Sequence, residues 1–333
     1  FQAEDGIRDS VASRGLGDVY KRQYLLTAEG GTEYNHAVTL ARSESIDGPY
    51  EVHPHNPVLT SKGDTTLVLQ KAGHASLVQT QGDQWYMPHL CGRPLPGTKR
   101  CNLGRETAIQ KMEWQDDGWL YVAGGGNNPK ETVDAPDLPL HPWPELEPRV
   151  PFTSPHFATP RGPASTIEPT DTILRLYGSE SLESCFPKSL LARRLTSHNL
   201  TATTHLSFSP TSFQQMAGLT AYYNNRLFYH LYLSHDEVAG YCLHIHSCDD
   251  GASSFPLGTK PLPVECTDIF LRATFEGSSL QFSWSLTGET FSNIGPVLDA
   301  STLSDDYGTH LDFTGTFVGM TCVDLTGLSL IHI

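Results

Sequence analysis

From Tyr24 to about Gly126 short apolar runs with a period of two alternate with polar breaks. Tyr24–Ala28 runs into the Gly30–Gly31 turn, and His36–Ser43 is closed by Asp47–Gly48–Pro49. His74–Thr80 and Gln84–Leu90 flank Gln81–Gly82–Asp83, while Ala108–Trp114 and Trp119–Gly125 flank Gln115–Asp116–Asp117–Gly118. Alternating runs joined by Gly/Asp turns predict antiparallel hairpins. Four such strands in meander order make a propeller blade, and roughly one and a half blades fit here. Over Asn127–Pro151 the chain becomes Pro-rich and unsuited to ladders, which predicts an extended linker. Strands are predicted again at Thr172–Gly178, Ser189–Thr196, Asn199–Pro210, Ala217–Tyr223, Arg226–Ser234, Tyr241–Cys248, Ile269–Gly277, Leu280–Gly288 and Thr314–Asp324. Their spacing and alternation predict an antiparallel sandwich, with hairpin turns at Asn224–Asn225 and Glu276–Gly277. The fold class expected is therefore all-β, in two domains.

Composition narrows the function. Among 333 residues, 38% hydrophobic and 10% aromatic content suffices for real cores, and 29 Gly with 23 Pro fits many short strands. No apolar run is long enough to span a membrane as a helix. Twenty-two basic against 37 acidic residues leave a net charge of −15, which argues against nucleic acid or an anionic membrane as partner. An acidic, aromatic- and turn-rich chain suits a neutral ligand such as a sugar. Seven cysteines without a close CxxC pair are expected to be free thiols, which favours a cytoplasmic location. Secretion stays open, since a leader could lie outside this chain.

The two ends read differently from the body. Residues 1–23 show neither alternation nor a helical stripe, and they lack the apolar core of a signal peptide. Gln2–Asp9 and Ser13–Gln23 resemble translated sequencing-library primer and adapter, and Leu328–Ile333 resembles the reverse complement of the adapter's end. Residues 1–23 and 328–333 are therefore expected to be adapter-derived and to pack little against the body. Residues 24–126, the linker 127–151 and residues 152–327 form the body.

The segments YLLTAEGGTEYNHAVTLARSESIDGPYEVHPHNPVLTS, GHASLVQTQGDQWYMPHLCGRPL and LGRETAIQKMEW resemble the two-domain β-xylosidases of glycoside hydrolase family 43. So do LRLYGSESLES, LLARR, FQQMAGLTAYYNN and FTGTFVGMTCVD in the second half. The resemblance implies the last blades of a five-bladed β-propeller followed by a concanavalin-like β-sandwich. It also implies removal of xylose from the non-reducing ends of xylooligosaccharides, with inversion. Inversion uses two carboxyl groups roughly 6.5–9.5 Å apart. In the family the base Asp, a modulating Asp and the acid Glu precede the YLLTAEGG segment. The expectation is thus a fragment, inactive alone, whose catalytic carboxylates lie upstream of Tyr24. Glu29, Glu33 and Glu106 are the nearest local acids and read as loop or orienting residues.

Substrate recognition is expected to remain in this chain. His74 matches a family histidine at the floor of the propeller, close to the sugar, which in some members helps hold a divalent cation, calcium here. Arg105 matches the arginine that hydrogen-bonds xylose hydroxyls with its rigid fork of donors. His89 and Arg93 could approach the same place or be structural. Phe313 sits where the family's sandwich projects an aromatic loop over the pocket, with Phe317 the alternative. No cofactor is expected to be required. The alternatives in function are an α-L-arabinofuranosidase, an enzyme with both activities, and a non-catalytic sugar-binding module. The last is disfavoured by Trp284 being the sandwich's sole tryptophan. The stretch 137–155 is shorter than the family linker, and the family places an aromatic last strand after CVDLTG. Open edges at both losses leave self-association as a further expectation.

Overall fold

The computed structural model describes residues 14–17, 23–142, 149–162, 165–309 and 312–327. Its described residues form β-sheets throughout, and the single helical element among them is the 3₁₀ turn Ala300–Thr302. Two units are distinguished. The first runs to Pro94 and resumes over Arg105–Pro144; the second consists of Leu95–Gly104 and the chain from Glu145 onward.

The first unit contains two propeller-type sheets. In one, Arg14–Gly17, Gln23–Glu29, Ala37–Ser43 and Glu51–Val52 follow one another as a meander, with Leu59–Thr60 added to Ala37–Ser43. In the other, Gln70–Gly73, Trp85–Gly92, Glu106–Trp114 and Leu120–Val122 do the same, with Val78–Gln79 added to Trp85–Gly92. Two four-strand paths are thus present, rather than one and a half. The apolar positions of the alternating runs meet in one core containing Leu26, Val38, Leu40, Leu59, Ala72, Met87, Trp119 and Leu120. Burial of side chains such as Val38 and Leu40 contributes about 1.5–3 kcal/mol each.

Three sequence expectations need correction here. Arg14–Gly17 do not stand apart from the body: their backbone pairs with Gln23–Leu26, from Arg14 opposite Leu26 to Gly17 opposite Gln23. An open strand edge offers N–H and C=O groups that any sequence can match. The remaining residues of 1–23, including Ile7 and Val11, and residues 328–333 lie outside the described residues. The predicted strand His74–Thr80 is reduced to Val78–Gln79, and Gln70–Gly73 takes its place in the sheet. Left-handed backbone at Lys71 and His74 explains why extension stops there. Finally, residues 127–137 are not a free spacer. Asn127 O accepts from Thr60 N (2.8 Å), Gln110 Nε2 donates to Lys130 O (3.0 Å) and Tyr86 Oη donates to Asp134 O (3.0 Å).

In the second unit a sheet of eight strands packs on one of four. The larger has the order Phe157–Ala158, Ser189–Arg194, Phe317–Asp324, Gln215–Asn224, Leu227–Asp236, Gly240–Asp249 and Ala252–Ser254, with Leu262–Pro263 beside Gly240–Asp249. The smaller has Asn199–Ser207, Asp268–Glu276, Ser279–Ser285 and Ser292–Asp299. Leu219, Leu231, Leu243 and Ile245 from the first meet Ile269, Leu271, Phe275 and Phe282 from the second, forming a concanavalin-like sandwich core. Ser292–Asp299 escapes sequence patterning because it holds Gly295 and Pro296. As the edge of its sheet it has one unpaired side, where a missing N–H does no harm.

Candidate functional site

His74 and Arg105 both belong to the first unit, and a third residue ties them together. The strand Gln70–Gly73 is buried throughout, and its register against Trp85–Gly92 slips between Gln70 and Gly73. Lys71 (φ 57°) and His74 (φ 49°) adopt the left-handed region at this slip. Side chains with a Cβ rarely go there, at a cost of order 1–3 kcal/mol, and such strain collects at functional positions. The turn leaves His74 exposed while Ala72 and Gly73 stay inside.

The ring of His36 fills the space beside Gly73. A Cβ on Gly73 would lie 2.4 Å from His36 Cδ2 and Cγ, so only glycine fits. His36 Nδ1 faces Lys71 O at 3.1 Å and must donate, since a carbonyl can only accept. Thr60 Oγ1 donates to His36 O at 2.7 Å. Burial pushes the His36 pKa down to about 4, outweighing the hydrogen bond to Lys71 O, which favours the protonated ring, and the Arg105 charge adds to the lowering. Sequence reasoning missed His36, although its place in an alternating apolar run (His36, Val38, Leu40) marks it as an inward histidine.

The other candidates have separate duties. His89 is buried, its Nδ1 facing Leu90 O at 3.0 Å and its Nε2 facing Gln110 Nε2 at 3.4 Å. Desolvation lowers its pKa, so it is a neutral packing residue. Arg93 is clamped to Glu106, Nε to Oε2 at 2.8 Å and Nη2 to Oε1 at 2.7 Å. That hydrogen-bonded partner raises the Arg93 pKa and commits both carboxylate oxygens of Glu106. Glu29 Oε1 accepts from Thr39 Oγ1 at 3.0 Å, and Glu33 is exposed. Next to the left-handed pair Gly30 and Gly31, the Thr32 hydroxyl is buried without a hydrogen-bond partner among the described residues. In the second unit Phe313 is 46% exposed on the loop before Phe317–Asp324, whereas Phe317 packs on Tyr222 and Phe228. Of the two phenylalanines, Phe313 is the exposed one.

Chemically, Arg105 offers fixed donors, and the His74 imidazole can donate or accept, a pairing suited to neighbouring hydroxyls. No three His, Cys, Asp or Glu side chains converge as a metal site among the described residues. A cation at His74 therefore does not fit the donors of this chain alone, and no step is derived through it.

Known proteins share both halves. The model for glycosyl hydrolases family 43 matches residues 18–120, and that for the beta xylosidase C-terminal concanavalin A-like domain matches residues 150–329. A beta-xylosidase of Bacillus subtilis is 42% identical, over 94% of this chain and 61% of its own length. Xylosidase/arabinosidase 43B of Humicola insolens is 42% identical, over 93% of this chain and 60% of its own. Among solved structures, a xylan beta-1,4-xylosidase from Bacillus halodurans is 44% identical with a TM-score of 0.89, covering 95% of this chain and 62% of that one. The chain thus spans about three fifths of the length of these relatives.

Proposed function

Because the chain belongs to glycosyl hydrolase family 43, with that family's β-xylosidase C-terminal domain, we propose that it is the sugar-recognition part of a xylan β-xylosidase. The complete enzyme releases xylose from the non-reducing ends of xylooligosaccharides with inversion. In this reading Arg105 and His74 hold the terminal xylose. The base Asp, the modulating Asp and the acid Glu precede Tyr24. What supports the reading is the family match over residues 18–120, which spans both His74 and Arg105 in one unit, beside local acids already engaged. Glu106 is held by Arg93 and Glu29 by Thr39, so neither is poised to protonate a glycosidic oxygen.

The experiment compares this chain alone with the same chain joined to an intact family N-terminal half, on an aryl-xyloside. Activity is expected only in the joined protein, because one general acid is worth roughly 10²–10⁴-fold. Hydrolysis by the lone chain above a control with Glu29, Glu33 and Glu106 all changed to Gln would overturn the reading. The second reading is activity on α-L-arabinofuranosides, alone or alongside xylosides. It is supported by the name of the Humicola relative, and the joined protein tested on both aryl glycosides separates the two.

A further inference from the structure

We propose that His36 is a positioning residue for sugar recognition: its Nδ1–H, bonded to Lys71 O, holds the left-handed turn that presents His74. This role rests on the reading of His74 as a xylose contact, and every residue in it belongs to the first unit.

Left-handed backbone at Lys71 and His74 persists only where the surroundings over-determine it, because both residues carry a Cβ. The sheet supplies little of that restraint. Its register slips between Gln70, opposite Gly92, and Gly73, opposite Leu90, which leaves Lys71 and Ala72 outside the regular ladder. Side chains from other segments hold them instead. Lys71 O accepts from His36 Nδ1 at 3.1 Å, and Ala72 N donates to Ser61 Oγ at 3.0 Å. The Lys71 ammonium lies 4.9 Å from the centroid of the Tyr34 ring. Two of these restraints therefore come from the short segment Tyr34–His36.

His36 is itself fixed before it acts. Its N donates to Glu33 O at 3.0 Å, and its O accepts from Thr60 Oγ1 at 2.7 Å. The ring rests against Gly73, where a Cβ would lie 2.4 Å from its carbons. The imidazole thus grips the turn twice, by a hydrogen bond before Ala72 and by contact after it. The next residue is His74. A planar trans peptide sets its Cα about 3.8 Å beyond that of Gly73, so holding Gly73 sets where His74 begins.

Packing alone does not call for a histidine here. A polar group taken out of water is costly unless it is hydrogen-bonded, and an aliphatic side chain fills an interior position without that need. The inward neighbours Val38 and Leu40 are aliphatic, as packing favours. His36 is 1% exposed, and it directs its donor at the carbonyl of a left-handed residue. Lys71 and Ala72 are themselves inaccessible, whereas His74 is exposed. What the turn delivers to the surface is therefore the His74 imidazole, and His36 fixes the turn from within.

The test uses the full chain and D-xylose, with binding followed by NMR alongside the backbone amide resonance of His74. His36→Asn keeps an N–H donor as many bonds from the backbone as Nδ1, whereas His36→Gln moves the donor outward and fills more of the ring's volume. A packing role favours Gln as the replacement; a positioning role favours Asn. His36→Gln is expected to weaken xylose at least about tenfold and to shift the His74 amide, since small misplacements of a contacting group are costly. His36→Asn is expected to keep most of the binding and the parent amide position, even with the lower melting temperature of the two. His74→Ala is expected to abolish binding. Tyr24→Phe removes the bond from Tyr24 Oη to Gly118 O (2.7 Å) elsewhere in the same unit, and is expected to lower melting temperature while leaving both readouts unchanged. In the parent, the imidazole nitrogen resonances of His36 should place its proton on Nδ1; a proton on Nε2 alone refutes the bond whether or not the variants fold. If His74→Ala abolishes binding but His36→Gln spares it, or leaves the His74 amide unmoved, positioning is refuted and the recognition reading stands. Equal losses in His36→Asn and His36→Gln, or as large a loss in Tyr24→Phe, assign the effect to packing or stability and refute positioning. If the parent does not bind xylose, or His74→Ala binds normally, the recognition reading fails and the role of His36 in it fails too.

Discussion

Lowering the pH from 7 to 4 titrates His36 against the fold, and His36→Gln removes that effect. In the unfolded chain His36 takes up a proton near pH 6.5, whereas in the folded protein its pKa is about 4. Above pH 6.5 both states hold it neutral and it confers no pH dependence. Between 6.5 and about 4 the unfolded state binds the proton and the native state does not, so stability falls as pH falls. Below about 4 the loss is complete. A gap of about 2.5 pH units corresponds to roughly 3 kcal/mol at about 1.4 kcal/mol per unit. The cause is burial: His36 is 1% exposed and its ring lies on Gly73, and this outweighs the hydrogen bond to Lys71 O, which favours the proton. The assay is urea unfolding of parent and His36→Gln at several pH values, read by tryptophan fluorescence. Trp85, Trp114 and Trp119 report on the first unit, which contains His36. The variant starts lower at pH 7, having lost a fitted ring, and the gap closes by about 3 kcal/mol towards pH 4. Parallel pH profiles for the two proteins would show that His36 is not held neutral by the fold, and would refute the argument.

Gly73→Ala should destabilise the first unit by about 1–3 kcal/mol or more in the same assay, because its Cβ would meet the His36 ring. Breaking the Arg93–Glu106 clamp with Glu106→Gln should cost only about 1 kcal/mol, since both side chains are partly exposed, and should leave the joined enzyme's rate within about twofold. A large fall in rate with unchanged stability would make Glu106 catalytic after all. Gly218→Ala should disrupt the sandwich, its Cβ falling 2.0 Å from Leu231 O, whereas Gly277→Ala should cost about 1 kcal/mol for its left-handed backbone alone. Thermal melts of the two variants decide this. With a thiol reagent at pH 8, Cys185 should react first and Cys266 next in the native protein. The five buried cysteines should react only on unfolding, Cys91 and Cys322 being additionally protected by burial that pushes their pKa to about 11.

Alternation was enough to locate the strands. Gln23–Glu29, Ala37–Ser43, Trp85–Gly92, Glu106–Trp114 and most sandwich strands fall within a few residues of their apolar runs, because a period of two is a local property. The turns at Asn224–Asn225 and Gly277 were equally legible, for the same reason. His74, Arg105 and Phe313 came from resemblance to a family, and alternation alone would have singled out none of them. What no local pattern contains is the company a residue keeps. The left-handed turn at His74 depends on a register slip against Trp85–Gly92, and the burial that keeps His36 neutral depends on packing against Gly73, more than thirty residues away. Arg93 and Glu106 look like free charges in the sequence and become a clamp only when their strands lie side by side. The assignment of Leu95–Gly104 to the sandwich is the clearest case: its sequence reads as a propeller loop, but Leu103 is buried in the other unit's core and Gly104 closes on Gly315. Strand formation is decided by neighbours in sequence; protonation, pairing and domain membership are decided by neighbours in space.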